Sequence, residues 1–139
     1  MAGMNADAIN DFMGKAFPGS GGGVEQADPD RVVCRIRYDP SQLRPGGTLS
    51  GPTMMGLADR AMYALIFAAI GEVPLAVTTS LTINFLRKPK PADLIAECRM
   101  LKLGKTLAVG DVMIRSDGER QPCAHAVVTY SIPPKTLSP

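Results

Sequence analysis

The chain has 139 residues, 45% of them hydrophobic, with fifteen basic and thirteen acidic side chains and a net charge of +2. This length suits one domain that buries roughly two thirds of its unfolded surface, and the near balance of charge excludes a global field for nucleic acid or an anionic membrane. The three cysteines, Cys34, Cys98 and Cys123, are far apart and each lies in an apolar stretch. That pattern fits reduced, buried thiols, and no CxxC or metal-ligand spacing accompanies it, so neither a metal nor a cofactor is expected. The opening MAGMNADAIN lacks the basic start and apolar run of a signal peptide, which makes the cytoplasm the expected compartment.

Taken in chain order, residues 5–16 place Ile9, Phe12, Met13 and Ala16 at helical spacing, with Asn5 as cap. The PGSGGG run at 18–23 then breaks the chain and lacks the Lys-Ser or Lys-Thr of a phosphate-binding loop. Residues 1–30 are therefore expected to form an N-terminal helix and a flexible Gly-rich segment, ahead of a domain spanning 31–139. Residues 31–38 alternate Val33, Arg35 and Arg37 against Val32, Cys34, Ile36 and Tyr38, the period of a strand with one buried face. A loop, PSQLRPGGTLSGP, leads into the next element.

That element, Gly51 to Ile70, is helix-forming and apolar nearly all round, with two charges only, Asp59 and Arg60, near its middle. Each charge would cost about 2.5–3.5 kcal/mol at the centre of a membrane span, so the stretch is expected to be a helix enclosed by other structure, with no membrane partner. An isolated carboxylate in such a helix must be paired, solvated or used. Adjacent helix residues do not face each other, so Arg60 is a poor partner for Asp59.

Strands are predicted at 75–86, at 94–103 and 106–115 around the Gly104-Lys105 connection, and at 123–132 after the Asp117-Gly118 turn. Four of five predicted strands thus follow the helix. A meander of this kind needs one face covered, and 51–70 is the available cover, which predicts an α+β fold with an antiparallel sheet wrapped around one long central helix.

The layout and three stretches, RPGGTLSGPTMMGLAD, INFLRKPKP and LGKTLAVGDVMI, resemble the hotdog-fold thioesterases, and within them the phenylacetate-degradation (PaaI-like) branch. The resemblance runs from about 31 to 132. In that branch a loop N-x-x-G-x-x-H-G-G enters the helix, with an acidic residue nine positions after the histidine. Gly47, Gly51, Leu57 and Asp59 keep the pattern, as do Asn84, Phe85, Leu86, Arg87 and the turn from Gly104 to Thr106. Arg44, Ser50 and Pro52 stand where the family has its asparagine, histidine and second glycine.

The resemblance implies hydrolysis of an acyl-CoA thioester, with coenzyme A entering as part of the substrate and Asp59 as general base or nucleophile. The backbone N–H groups at Gly51 and its neighbours, with Thr48 or Ser50 as cap, suit a developing oxyanion, and Ser50 joins Asp59 and Gly51 in the catalytic set, its hydroxyl either capping the helix or also touching substrate. Asp59 lies about 12 Å further along the helix axis, too far to serve the same carbonyl, so a second chain is required. The family implies this too, as a homodimer or homotetramer. Arg87, Lys88 and Lys90, with Lys105 at the hairpin turn, are candidates for the phosphates of coenzyme A. Thr79 and Ser80 would lie beside the acyl or pantetheine channel. Arg44, Pro52 and Met55 complete the substrate-binding set, with Met54, Met62 and Tyr63 as core residues that could line a pocket. The lone histidine, His125, alternates with Cys123 and Val127 and reads as structural. A non-catalytic acyl-CoA or acyl-carrier-protein binding hotdog protein is the alternative, favoured by the replaced Asn and His positions.

Overall fold

The computed structural model describes residues 3–16, 22–40, 43–44 and 48–134. Helix α1 spans Ala6–Ala16, strands β1 and β2 Gly23–Asp28 and Arg31–Ile36, and the two-residue strands β3 and β4 Leu43–Arg44 and Thr48–Leu49. Helix α2 spans Gly51–Ile70, followed by β5 (Val77–Phe85), β6 (Leu94–Leu103), β7 (Leu107–Ser116) and β8 (Ala124–Ser131). The antiparallel main sheet is ordered β1-β2-β6-β7-β8-β5. It wraps around α2, which is the expected architecture.

Burial follows sequence. Along β2, Val32, Cys34 and Ile36 are buried while the intervening residues are half exposed, so period-two alternation becomes one covered face. The helix lays Ala58, Ala61, Ala64 and Ala68 among larger buried residues, and these small side chains let the sheet approach. At Gly110 on β7 the approach is closest, because a Cβ there would sit 2.5 Å from Met62 Sδ and 3.0 Å from the Arg99 carbonyl. Although α2 is long and apolar enough to cross a membrane, the sheet buries most of it.

Strand β1 was not expected. Its side chains are mostly exposed, as befits a sheet edge, so it carries no hydrophobic alternation to read. Asn10 of α1 holds it, with Nδ2 donating to Val24 O at 2.7 Å and Oδ1 accepting from Val24 N at 2.7 Å. Helix α1 begins as predicted, with Asn5 Oδ1 accepting from Ala8 N at 2.8 Å, and docks Phe12 on Phe67 with ring centroids 5.0 Å apart. Of the 18–23 stretch, residues 18–21 lie outside the described residues. Strand β2 ends at Ile36, two residues short of the expected limit. The three cysteines are buried and free.

Candidate active site

Asp59 sits half-buried on the flank of α2 that faces the start of β5 and the end of β8. Thr78 Oγ1 donates to Asp59 Oδ1 at 2.6 Å, and the Tyr130 hydroxyl donates to the same oxygen at 2.8 Å. Tyr130 also reaches the Asp59 carbonyl, at 3.2 Å. Both donors converge on Oδ1, so Oδ2 takes no hydrogen bond among the described residues. Burial pushes the Tyr130 phenol well above its ordinary range, the Thr78 contact opposes this, and the Asp59 charge adds to it. Tyr130 therefore stays protonated as a donor at neutral pH.

These groups open on a cleft of about 300 Å³ lined by Asp59, Arg60, Tyr63, Ala76, Thr78 and Tyr130. Arg60 makes no ion pair with Asp59, in keeping with their adjacent positions on a helix.

Thr78 and Tyr130 were missed in the sequence, which named their neighbours Thr79 and Ser80 for the acyl or pantetheine channel. The β5–β8 register slips between Thr78 and Ser80, so Thr79 falls in a bulge and donates to Thr129 O at 3.3 Å. A bulge resets which residues share a face, and strand alternation alone does not locate it. The pairing Thr78↔Tyr130 joins the two donors directly across the ladder.

The helix start holds the second group of candidate residues. Ser50 is the N-cap, with Oγ accepting from Thr53 N at 3.2 Å and lying 2.8 Å from Thr53 Oγ1. Its hydroxyl oxygen therefore serves the cap. Phe85, at the far end of β5, lies against Gly51, where a Cβ would come within 3.1 Å of the ring. Pro52 sits in the first turn and Met55 is 40% exposed. The side chain of Arg44 lies outside the described residues.

The basic candidates separate. Arg87, Lys88 and Lys90 line a recess of about 140 Å³, where Arg87 Nη1 donates to Pro122 O at 2.9 Å and Lys90 Nζ lies 3.9 Å from Glu119. The Lys90 amide bonds Ser116 Oγ at the end of β7, whereas Lys105 precedes the start of β7. One strand length, roughly 30 Å, divides the two clusters. Gly51 thus shares an end of the sheet with Arg87, Lys88 and Lys90, and Asp59 shares the other with Lys105. His125, paired with Asn84 across the β5–β8 ladder, has Nε2 3.3 Å from Asp111 Oδ2.

The family model described as "Thioesterase superfamily" matches residues 46–123, which include α2 and Asp59. A proposed thioesterase of Silicibacter sp. TM1040 is 39% identical, with 96% of this chain and 95% of that one covered and a TM-score of 0.88. A proposed esterase of Saccharolobus solfataricus is 30% identical over 84% of this chain and 77% of its own length. A hypothetical thioesterase protein of Streptococcus pneumoniae TIGR4, solved with coenzyme A, shares the fold at 22% identity, with a TM-score of 0.78 over 91% of this chain and 97% of that one. The chain belongs to the thioesterase superfamily and has its hotdog architecture.

Proposed function

We propose that this protein is a cytoplasmic acyl-CoA thioesterase of the phenylacetate-degradation branch, acting as a homodimer or a tetramer of such dimers. The observation that carries the reading is the Asp59 carboxylate, fixed through Oδ1 by two hydroxyls with Oδ2 left to act. A carboxylate so held serves as general base toward a water molecule. The water attacks the thioester carbonyl, the oxyanion is held by the backbone N–H of Gly51, and coenzyme A leaves as its thiolate, taking up the proton from Asp59. Gly51 is the available donor, since Pro52 has no N–H and those of Thr53 and Met54 go to Ser50 Oγ and Ser50 O.

One chain cannot close this site, since Gly51 and Asp59 stand about 12 Å apart along the helix. Strand β5 supplies the remedy. It is a sheet edge of nine residues, with Val77 57% and Phe85 51% exposed. Antiparallel pairing with a second β5, about a two-fold at Leu81, sets Thr78 opposite the partner strand's position 84, next to the partner's helix start. The Lys105 end of one chain then meets the Arg87, Lys88 and Lys90 end of the other, giving two basic clusters for the phosphates of coenzyme A. Coenzyme A in the pneumococcal relative supports that carrier.

Turnover of an acyl-CoA panel, followed by thiol release, is the test. Asp59→Asn is expected to lower turnover by more than about tenfold with the oligomer intact, and unchanged turnover would exclude Asp59 as the base. The presence of a capping serine, Ser50, where the family has histidine favours a second reading as a non-catalytic binder of acyl-CoA or acyl-carrier protein. Saturable binding without turnover in the wild type would establish it.

A further inference from the structure

A second cavity, of about 400 Å³, lies between α1, the β1–β2 hairpin and α2, and Arg60 lines both it and the Asp59 cleft. Met13, Ile36 and Leu57 give it an apolar wall. Glu25 from β1, Arg35 from β2 and Arg37 just beyond β2 border it, but Arg35 alternates with Cys34 and Ile36 of the cavity wall, so Arg60 from α2 is its principal charge. Arg35 is fully engaged, lying 2.7 Å from Glu25, 3.0 Å from Asp93 and 2.9 Å from Asp117. Arg37 and Arg60 make no ion pair among the described residues. Arg60 is half-buried, and its charge is felt at Cys34 in the cavity wall, where burial is the larger influence and pushes the thiol up to about 12.

A half-buried guanidinium beside an apolar wall is favourable when an anion joins it. The volume is that of a small-ligand site. The planar fork of arginine matches a carboxylate, and the wall needs a hydrocarbon to displace its water. We propose that this cavity binds a short hydrocarbon chain ending in a carboxylate, held by Arg60 with Arg37 at the rim. The carboxylate belongs either to a free acid or to the far end of an acyl group. Binding of the free acid does not depend on the reaction at Asp59.

The test is calorimetric titration of the full chain with hexanoate, acetate, hexanol and inorganic phosphate. Hexanoate is expected to bind at least about tenfold more tightly than the other three, and Arg60→Gln to erase that advantage. Gly14→Leu supplies a variant independent of charge, because Gly14 lines the cavity with open space beyond its Cα, and the added side chain is expected to block hexanoate. Circular dichroism confirms that each variant is folded. No saturable binding of hexanoate to the wild type, equal binding to Arg60→Gln, or equal binding of acetate or phosphate would overturn the proposal. Faster cleavage of an adipoyl than a hexanoyl thioester, lost in Arg60→Gln, would assign the carboxylate to an acyl end; hexanoate binding without that preference assigns it to a free acid.

Discussion

Asp59 is a carboxylate held by one oxygen. Its two donors come from different strands, Thr78 from β5 and Tyr130 from β8, and both point at Oδ1. Hydrogen bonds to a charged group contribute about 1.5–3 kcal/mol each, enough to fix the carboxylate in one rotamer while the other oxygen stays reactive. Under the proposed reaction Thr78 and Tyr130 position the base, so Thr78→Val and Tyr130→Phe are each expected to reduce kcat by about tenfold with little change in KM. A rise in KM at constant kcat would instead assign them to substrate binding. Ser50 belongs to a different mechanism. Its hydroxyl caps α2, so Ser50→Ala is expected to cost about 1 kcal/mol in denaturant unfolding, and Ser50→Asp to retain most of that stability. A selective loss of turnover in Ser50→Asp without loss of stability would show that the hydroxyl also touches substrate. The apolar setting of Asp59 was legible in the sequence because helix and charge are local facts. Its partners were not, because the slip between Thr78 and Ser80 that sets them is a property of strand pairing.

Among the elements, α2 was the most readable. Twenty residues of nearly unbroken helix-forming apolar sequence, capped by Ser50 and closed at Gly71, specify a buried helix with no competing pattern. Strands β6 to β8 were also close to their predicted limits, because Gly104, and Gly118 with φ +88°, mark the turns between them. Strand β1 was invisible because its stability lies in contacts distant in sequence, the Asn10 clamp and pairing with β2. The strand ends are tied by charge as well. Asp93 accepts from the Tyr38 amide at 2.6 Å and pairs with Arg35, and these contacts, the amide foremost, hold its carboxyl below the usual range despite some desolvation. A depressed carboxyl adds stability that is present above its unfolded pKa, about 3.9, and is lost as pH falls through the lower folded value. Asp93→Asn is therefore expected to lower stability at neutral pH and to flatten the acid limb of a stability-against-pH curve. An unchanged acid limb would show that Asp93 does not contribute to the linkage.

At the scale of the whole molecule, the six-stranded sheet ends in a free β5 edge, and the two halves of the site lie at its opposite ends. Thr78 beside Asp59 marks one end and Phe85 against Gly51 the other. In the proposed dimer, pairing of two β5 edges brings the Asp59 carboxylate of one chain to the Gly51 N–H of the other. Complementation measures this directly. Gly51→Pro removes the first helical N–H at a position whose backbone suits proline, following Ser50 in an extended conformation (φ −78°, ψ 155°), and Asp59→Asn removes the base. The new Cβ requires the Phe85 ring, 3.1 Å away, to shift by a few tenths of an ångström, so circular dichroism and dimer formation of Gly51→Pro are checked first. Each variant alone is expected to be nearly inactive. When the two are unfolded together and refolded as a random mixture, half the dimers are mixed and each mixed dimer carries one intact site, so activity should return to roughly a quarter of the wild-type value. A mixture as inactive as its components, with mixed dimers demonstrably present, would place both groups in sites within single chains and contradict a shared one.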